Sequence, residues 1–182
     1  MAARRTIMLA GGSADHGDTV YARAARDFGR QVAGEGWVLR TGGGAGLSIM
    51  GAASDGALEA GGRVEGVILR KFWALRHRGL HAMKAYSTFA LRKEALIRGA
   101  AAAVVFPGGY GTLDELGDLL TLRQTRLIHI PIVLVNVARY YAAFLDWDRH
   151  AERRGFLYGG RLFHVASTPA HAIRILRNLL ER

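Results

Sequence analysis

Short apolar runs of strand length alternate with helix-periodic segments along the whole of this 182-residue chain. The apolar runs are residues 6–10, 37–40, 63–69, 100–106, 131–136 and 162–166. Helical periodicity covers residues 18–34, 47–60, 87–98, 112–125, 140–154 and 169–180. Residues 71–86 have no clean period and are expected to form an irregular loop or lid. This alternation predicts an α/β fold, in which a mainly parallel sheet lies between two layers of helices.

Composition excludes several kinds of protein. The chain has no cysteine, so disulfides, thiolate zinc sites and cysteine nucleophiles are ruled out. The apolar run near the start is too short for a secretory signal, and no stretch approaches the ~20 apolar residues of a membrane span. We therefore expect one domain over residues 1–182, in the cytoplasm and without a membrane partner.

The formal net charge is +10, which leaves two interpretations open. Basic chains often bind nucleic acid or other polyanions. Here the cations are spread over the whole length, with the densest stretch between residues 70 and 98. They can form a solvated basic surface, a wall that attracts a phosphorylated ligand, or both.

The sharpest local motif is Phe106-Pro-Gly-Gly-Tyr-Gly-Thr-Leu-Asp-Glu115, where an apolar run ends in a glycine loop. A helix is expected to begin at Thr112, and its free backbone amides and dipole would favour a phosphate. Thr112 can cap this helix or donate its hydroxyl to a phosphate. Glu115 stands three residues later, so it can be a capping-box residue or an active-site carboxylate.

Other motifs narrow the choice of ligand. Residues 41–46 form a second glycine loop containing Gly42-x-Gly44, but the last glycine of a dinucleotide-binding fingerprint is missing. No acidic residue follows the 63–69 run to hold a ribose diol, and no P-loop pattern is present. Arg92-Lys93 could bind an anionic substrate or could simply be a solvated helix face.

Three glycine loops follow strands directly: Gly11-Gly12-Ser13, residues 41–46 and residues 107–112. Ligands of parallel sheets bind beyond the carboxyl ends of the strands, so these loops are expected to gather along one edge. The histidines show no metal-ligand spacing and are expected to be surface or packing residues: His16, His77, His81, His129, His150, His164 and His171.

Taken together, these residues resemble the Lonely Guy (LOG) family, known in older usage as "possible lysine decarboxylase". The family's Pro-Gly-Gly-x-Gly-Thr-x-x-Glu motif is matched from Pro107 to Glu115, and its Arg-Lys pair by Arg92-Lys93. Its Thr-Gly-Gly-Gly loop is matched at residues 41–44, and its opening Gly-Ser by Gly12-Ser13. The resemblance covers roughly residues 6–150.

The resemblance implies a Rossmann-like fold, a homodimer or higher assembly, and hydrolysis of nucleoside 5'-monophosphates to free base and ribose 5-phosphate. It implies Arg92 and Glu115 as the catalytic pair, with no metal and no cofactor. The other residues expected to bind substrate or its phosphate are Gly12, Ser13, Gly43, Gly44, Lys93, Gly108, Gly109, Tyr110, Gly111, Thr112 and Thr121.

Three positions depart from the family pattern. Many members have the sequence Met-His-x-Arg-Lys, where this chain has Phe89-Ala-Leu-Arg-Lys93. The family's Gly-Leu-Met-Gly is replaced here by Gly46-Leu-Ser-Ile-Met-Gly51. Residues 71–86 lack an acidic residue that often contacts substrate and carry Arg76, His77, Arg78 and His81. The first two departures leave phosphate binding intact, while the third leaves base preference open, cytokinin bases included.

Alternatives on related folds remain. A nucleotide or molybdenum-cofactor carrier could use the same phosphate loop without turnover, although it need not keep both Arg92 and Glu115. Single-stranded DNA binding is disfavoured, because the aromatic residues do not interleave with the cations as a stacking platform would. A pyridoxal-phosphate decarboxylase is disfavoured too, because the chain is short for that class and no lysine stands in a recognisable Schiff-base setting.

Overall fold

The structure is a computed structural model that describes residues 4–14, 17 and 19–181. Its strands are β1 (Thr6–Ala10), β2 (Val38–Thr41), β3 (Arg63–Leu69), β4 (Ala82–Tyr86), β5 (Ala102–Val105), β6 (Ile132–Val135) and β7 (His164–Ala166). Its α-helices are α1 (Val20–Gly34), α2 (Ile49–Glu59), α3 (Phe89–Ile97), α4 (Tyr110–Gln124), α5 (Ala142–Arg153) and α6 (Pro169–Leu180). Two 3₁₀ segments, Arg70–Leu75 and Val137–Arg139, complete the regular structure.

All seven strands form one parallel sheet in the order β4-β3-β2-β1-β5-β6-β7. The chain starts near the centre, builds outward to β4, and then returns to the other side of β1 to add β5, β6 and β7. The strand order therefore reverses between β1 and β5. In open parallel sheets, the crevice beyond the carboxyl ends at such a reversal is where ligands bind.

Alternate residues of each central strand enter two separate cores. Ile7 and Leu9 pack with α1, α2 and α6 on one face, whereas Met8 and Ala10 pack with α3, α4 and α5 on the other. These four side chains are at most 1% exposed. A strand covered on both faces must be apolar at every position, which is why these runs could be recognised in the sequence. The predicted α/β three-layer fold is confirmed.

Helices α1 and α2 are in backbone contact through glycines. A Cβ atom on Gly29 would lie 2.0 Å from the carbonyl oxygen of Ala53, and one on Gly56 would lie 2.0 Å from that of Arg26. Only glycine allows so close an approach. This contact fixes α2, and with it the 41–46 loop that precedes α2.

The expectation of an irregular loop over residues 71–86 holds for residues 76–81 and is wrong at both ends. The first part is the 3₁₀ segment Arg70–Leu75, and the last part is strand β4, which pairs only with β3 at the sheet edge. The β4 side chains are half-buried or exposed, so no apolar run reveals the strand. Pairing with β3, rather than local hydrophobicity, makes this segment a strand.

The remaining boundaries differ from expectation by a few residues. Thr19, Ser48, Thr88 and Thr168 each accept a backbone hydrogen bond at the start of a helix and so set where α1, α2, α3 and α6 begin. Residue 18, the expected start of the first helix, lies outside the described residues. Within the described part of the chain, no helix combines the length and apolar character needed to span a membrane.

Candidate functional site

The loops that follow β1 and β5 are joined beside the reversal point. The amide of Gly12 donates to the carbonyl of Pro107 at 3.0 Å, and the amide of Ile49 donates to the carbonyl of Gly12 at 3.1 Å. A Cβ atom on Gly108 would lie 2.1 Å from Thr112 Oγ1 and 2.7 Å from the Gly12 amide nitrogen. Gly108 therefore has to be glycine for the two loops to meet, and the predicted gathering of glycine loops at one edge is confirmed.

Helix α4 opens onto this crevice with its amino end uncapped. Its N-cap residue, Gly109, provides no side-chain hydrogen bond. The amides of Tyr110 and Gly111 donate to no group in the described chain, and neither does the Thr112 hydroxyl. Free first-turn amides and the helix dipole make such an end attractive to an anion.

The capping interpretation of Thr112 and Glu115 is wrong, because the helix begins two residues earlier than expected. With Gly109 as the N-cap, Thr112 already lies inside the first turn, and Glu115 is in the second turn. Both side chains are buried, at 4% and 7% exposed. Neither serves as a cap, so both are free for another role.

Two tyrosines support the 107–111 loop from behind. The Tyr140 hydroxyl donates to the carbonyl of Gly108 at 2.7 Å, and the Tyr141 hydroxyl donates to the carbonyl of Phe106 at 2.6 Å. Burial raises the pKa of Tyr141, so its proton stays in place. Sequence reasoning considered these aromatics only as stacking candidates and missed their support of the loop.

Arg92 connects three parts of the site. Its Nε donates to the carbonyl of Val67 in β3 at 3.0 Å, and its Nη1 donates to Glu115 Oε1 at 2.7 Å. Its Nη2 lies beside Gly42, where a Cβ atom would be only 2.4 Å away. The guanidinium is therefore held between the sheet edge, the 41–46 loop and α4, with a side-chain exposure of 12%.

Glu115 is a buried carboxylate with one oxygen unused. Oε1 accepts from Arg92, while Oε2 accepts from no group in the described chain. Burial raises the pKa of Glu115, and the Arg92 guanidinium opposes part of that rise. A carboxylate of this kind can orient or deprotonate a water molecule, or stabilise a neighbouring positive charge.

Lys93 and Thr121 form no bond with this pair, although Lys93 lines the same small pocket as Glu115. The Lys93 ammonium is 3.0 Å from Asp114 Oδ1 and 2.7 Å from Asp118 Oδ2, so it ties α3 to α4. Thr121 is exposed and lies eleven residues along α4 from Tyr110, about 16 Å at 1.5 Å per residue. Within one chain, therefore, neither side chain is directed at the crevice, and their contact with substrate stays a prediction.

Gly43 and Gly44 are held by their own backbone partners. The Gly43 carbonyl accepts from the His77 amide at 2.8 Å, and Gly44 forms an isolated antiparallel bridge with Arg76. Gly43 has a φ of +74°, a conformation that suits glycine. These bonds join the 41–46 loop to the segment that follows β3, while Ser13 lies exposed after β1.

The 3₁₀ segment Arg70–Leu75 presents exposed aromatic surface at this edge. Phe72 is 40% and Trp73 is 39% exposed, and the Arg76 guanidinium lies 4.4 Å from the centre of the Trp73 ring. A cation stacked on one ring face leaves the other face available for contact. Sequence reasoning recognised the basic character of this stretch but not its aromatic surface.

No metal centre is found in the described ranges: no three or more histidine, aspartate or glutamate side chains come together there as candidate ligands. His77 Nε2 lies 2.8 Å from Asp55 Oδ1, and its Nδ1 accepts from the Gly79 amide. His81 Nδ1 accepts from the Val64 amide. These two histidines hold loops in place, while His16 lies outside the described residues.

Comparison with known proteins gives a consistent result. The family model described as "possible lysine decarboxylase" matches residues 50–176. The cytokinin riboside 5'-monophosphate phosphoribohydrolase LOG of Oryza sativa subsp. japonica is 33% identical over 175 residues, covering 95% of this chain and 72% of that protein. The cytokinin riboside 5'-monophosphate phosphoribohydrolase of Rhodococcoides fascians is 32% identical over 161 residues, covering 87% and 76%.

A solved structure extends the comparison to a different kind of protein. The Moco carrier protein from Chlamydomonas reinhardtii superposes on this chain with a TM-score of 0.70 and 27% sequence identity. The alignment covers 98% of this chain and 99% of that one. The two proteins therefore share the fold over their whole lengths.

Proposed function

The chain belongs to the Lonely Guy (LOG) family, whose family model is described as "possible lysine decarboxylase", and from this premise we propose that it hydrolyses nucleoside 5'-monophosphates. The products are the free base and ribose 5-phosphate. The observation that carries the proposal is the buried Arg92–Glu115 pair beside the uncapped start of α4. A site of this kind brings together an anion-binding helix start and a carboxylate in one crevice.

The substrate's 5'-phosphate binds at the start of α4. The amides of Tyr110 and Gly111 and the Thr112 hydroxyl donate to its oxygens, and Gly12, Gly108 and Gly109 let it approach the backbone. Glu115 then lies five residues along the helix, about 7.5 Å from Tyr110 along the axis. That distance is comparable to the separation of phosphorus and C1' in a nucleotide, which supports placing the carboxylate beneath the sugar.

Glu115 acts on the anomeric carbon. Cleavage of the glycosidic bond passes through an oxocarbenium-like state, in which positive charge grows on the ribose and negative charge on the base. The ionised carboxylate stabilises that cation, and its Oε2 orients or deprotonates the attacking water. Water adds to C1' as the bond to the base nitrogen breaks. The proton that Glu115 takes from this water passes to the departing base, so the carboxylate is ionised again at the end.

Arg92 holds the carboxylate in position and can stabilise the departing base through its remaining guanidinium nitrogen. A guanidinium keeps its protons in proteins, so the contribution of Arg92 is charge and orientation. The base faces the wall formed by the 41–46 loop and the Arg70–Leu75 segment, where Trp73 is the proposed stacking surface. AMP-like nucleotides and cytokinin ribotides both fit this description.

We further infer a cytoplasmic homodimer. The first turns of α3 and α4 carry exposed apolar side chains next to the site, and Phe89, Leu91 and Leu113 are 58%, 47% and 45% exposed. Covering this face with a second copy would also bring the partner's surface close to the crevice. Lys93 and Thr121 could then meet substrate across the dimer rather than within one chain.

The proposal is tested by incubating the protein with AMP, GMP, CMP and isopentenyladenosine monophosphate and measuring free base. The Glu115→Gln variant should lower the rate by at least about 100-fold while nucleotide binding is retained. The matched control is Glu94→Gln, a carboxylate on α3 that is 57% exposed and pairs with Arg98. Release of base by Glu115→Gln at the wild-type rate would overturn the mechanism.

A carrier function is the second candidate, favoured by the 27% identity to the Moco carrier protein over almost the whole chain. A carrier would use the anion cradle at α4 without cleaving its ligand. The same assay separates the two functions, because a carrier binds the phosphorylated ligand and releases no base. The paired Arg92 and Glu115 favour the hydrolase.

A further inference from the structure

A second concave region lies at the other end of α4, far from the crevice. The end of α4, the turn leading to β6 and the segment before β7 line an open hollow of about 210 Å³. The residues around it that matter here are Arg123, Gln124, Arg126, His129 and Arg161. Because α4 has 15 residues, the hollow lies about 22 Å along the helix from the crevice. It is therefore a separate place on the molecule, and we call it the basic hollow.

The charge of the basic hollow is strongly one-sided. Three guanidiniums and an imidazole line it, and no carboxylate does. Arg126 and Arg161 form no ion pair with any described residue. Arg123 uses Nη1 to donate to the carbonyls of His129 and Ile130, so its other nitrogens remain available. The Arg126 and Arg161 side chains are exposed to solvent, and Asp148, outside the hollow, lies close enough to feel the Arg161 charge. The clustered guanidiniums still repel one another, and a bound anion would relieve that repulsion.

Neutralising the helix dipole does not account for this charge. The carboxyl end of a helix carries about half a negative charge. Arg123 already bonds the carbonyls beyond that end, which leaves Arg126 and Arg161 in excess. The neighbouring His164 reports the same positive field, because its pKa is lowered by burial first and then by Arg161 and Arg123.

Arg126 adopts a backbone conformation that is unfavourable for a residue with a side chain. Its φ is +63°, and the Leu127 amide donates to the Leu122 carbonyl while the Arg126 amide donates to that of Arg123. These two bonds define a helix-ending turn in which the left-handed residue is usually glycine. A side chain there costs stability, and such strain is often kept at functional positions.

We propose that the basic hollow is an anion site that binds a diphosphate group, either as inorganic pyrophosphate or within a nucleoside diphosphate. Planar guanidiniums bind phosphate oxygens in pairs, and three of them around one hollow match the several oxygens of two linked phosphates. Gln124 Oε1 already accepts from the Tyr158 amide, which fixes its carboxamide at the rim. The site is independent of the hydrolytic crevice and does not require that proposed activity.

The test is calorimetric titration of the full-length chain with pyrophosphate and, separately, with ADP at low ionic strength. Arg126→Gly keeps the turn and removes its guanidinium, and Arg161→Gln removes a second one. Each should weaken one binding event by about tenfold or more, because a charge-assisted hydrogen bond is lost. The matched control is Arg174→Gln, which makes the same change of charge at an exposed residue on α6 and should leave every binding event unchanged.

The two titrations identify the source of the diphosphate, because they show whether the site binds inorganic pyrophosphate, the nucleoside diphosphate or both. An anion that binds at the start of α4 gives a second binding event in the titration, and the affinity of that event should be the same in Arg126→Gly and Arg161→Gln as in the wild type. Hydrolysis of AMP should be unaffected by Arg126→Gly. If wild type, Arg126→Gly and Arg161→Gln give the same titrations with both ligands, the proposed site does not exist. If only a single-stranded oligonucleotide distinguishes them, the assigned ligand class is wrong.

Discussion

At the scale of single residues, the proposed chemistry depends on opposing effects on the pKa of Glu115. Burial raises the pKa of its carboxyl group, because a charge is poorly solvated in the protein interior. The Arg92 guanidinium, 2.7 Å away, favours the ionised form and reduces the rise. The net rise brings the pKa of Glu115 closer to neutral pH, and a general base is most effective when its pKa lies near the working pH.

This balance predicts the pH dependence of hydrolysis. In the proposed mechanism the ionised form of Glu115 is the active one, so kcat should fall as the pH drops through its pKa. Since that pKa is raised, the acidic limb should lie at higher pH than for an ordinary glutamate. The measurement is kcat for AMP against pH.

Removing the Arg92 charge should move the same limb further. Arg92→Gln takes away the group that lowers the pKa of Glu115, so the limb of the residual activity should shift to still higher pH. Arg92→Lys keeps a positive charge and should shift it less. Glu94→Gln should leave the limb in place. An unchanged limb in Arg92→Gln would mean that Glu115 is not the titrating group.

At the scale of elements, the position of the site depends on how closely α1 and α2 approach. Gly29 and Gly56 bring the two helix backbones into contact, and α2 in turn carries the 41–46 loop against Arg92. A helix displaced by even one methyl group would move that loop. Gly29 and Gly56 therefore fix the position of the 41–46 loop although they lie outside the site.

The prediction is that Gly29→Ala destabilises the protein by about 3 kcal/mol or more, because its Cβ would overlap the Ala53 carbonyl and neither backbone can move freely. The control is Gly34→Ala on the same helix, where nothing lies within 4 Å of the new Cβ. That change should be neutral or slightly stabilising. Chemical denaturation of the two variants measures the difference, and equal stabilities would contradict the close contact.

At the scale of the whole molecule, the two ends of α4 have different surroundings. Its amino end lies at the crevice, next to the exposed apolar side chains on the first turns of α3 and α4. Its carboxyl end lies at the basic hollow. The net charge of +10 is thus not only a general surface property. Part of it is concentrated at a hollow that no described carboxylate lines.

The proposed homodimer gives a prediction at this scale. Light scattering should report twice the 19.8 kDa of one chain. Phe89→Glu puts a carboxylate in the first turn of α3, where the helix dipole tolerates it, but places a charge on the proposed interface. This variant should be monomeric, whereas Phe156→Glu, at a residue that is 78% exposed just beyond the end of α5, should remain a dimer. A wild-type monomer would contradict the proposal.

Much of the fold could be predicted because its signals are local. Strands covered on both faces need apolar residues at every position, so β1, β3 and β5 were recognisable from their runs. Strand β4 was missed because it lies at the sheet edge with little burial, and its pairing partner is the only reason it is a strand. The start of α4 was misplaced because Gly109, not a side-chain cap, begins the helix.

By itself, the sequence determined the layered parallel fold and the glycine loops at strand ends, since periodicity and motif spacing are properties of the chain. It proposed Arg92 and Glu115 as site residues only through the resemblance of their motifs to a known family. Only the tertiary structure decided that these two side chains meet, that Lys93 turns instead to Asp114 and Asp118, and that three arginines from two segments surround one hollow. These are contacts between residues distant in sequence, and they exist only once the sheet order and helix packing bring them together.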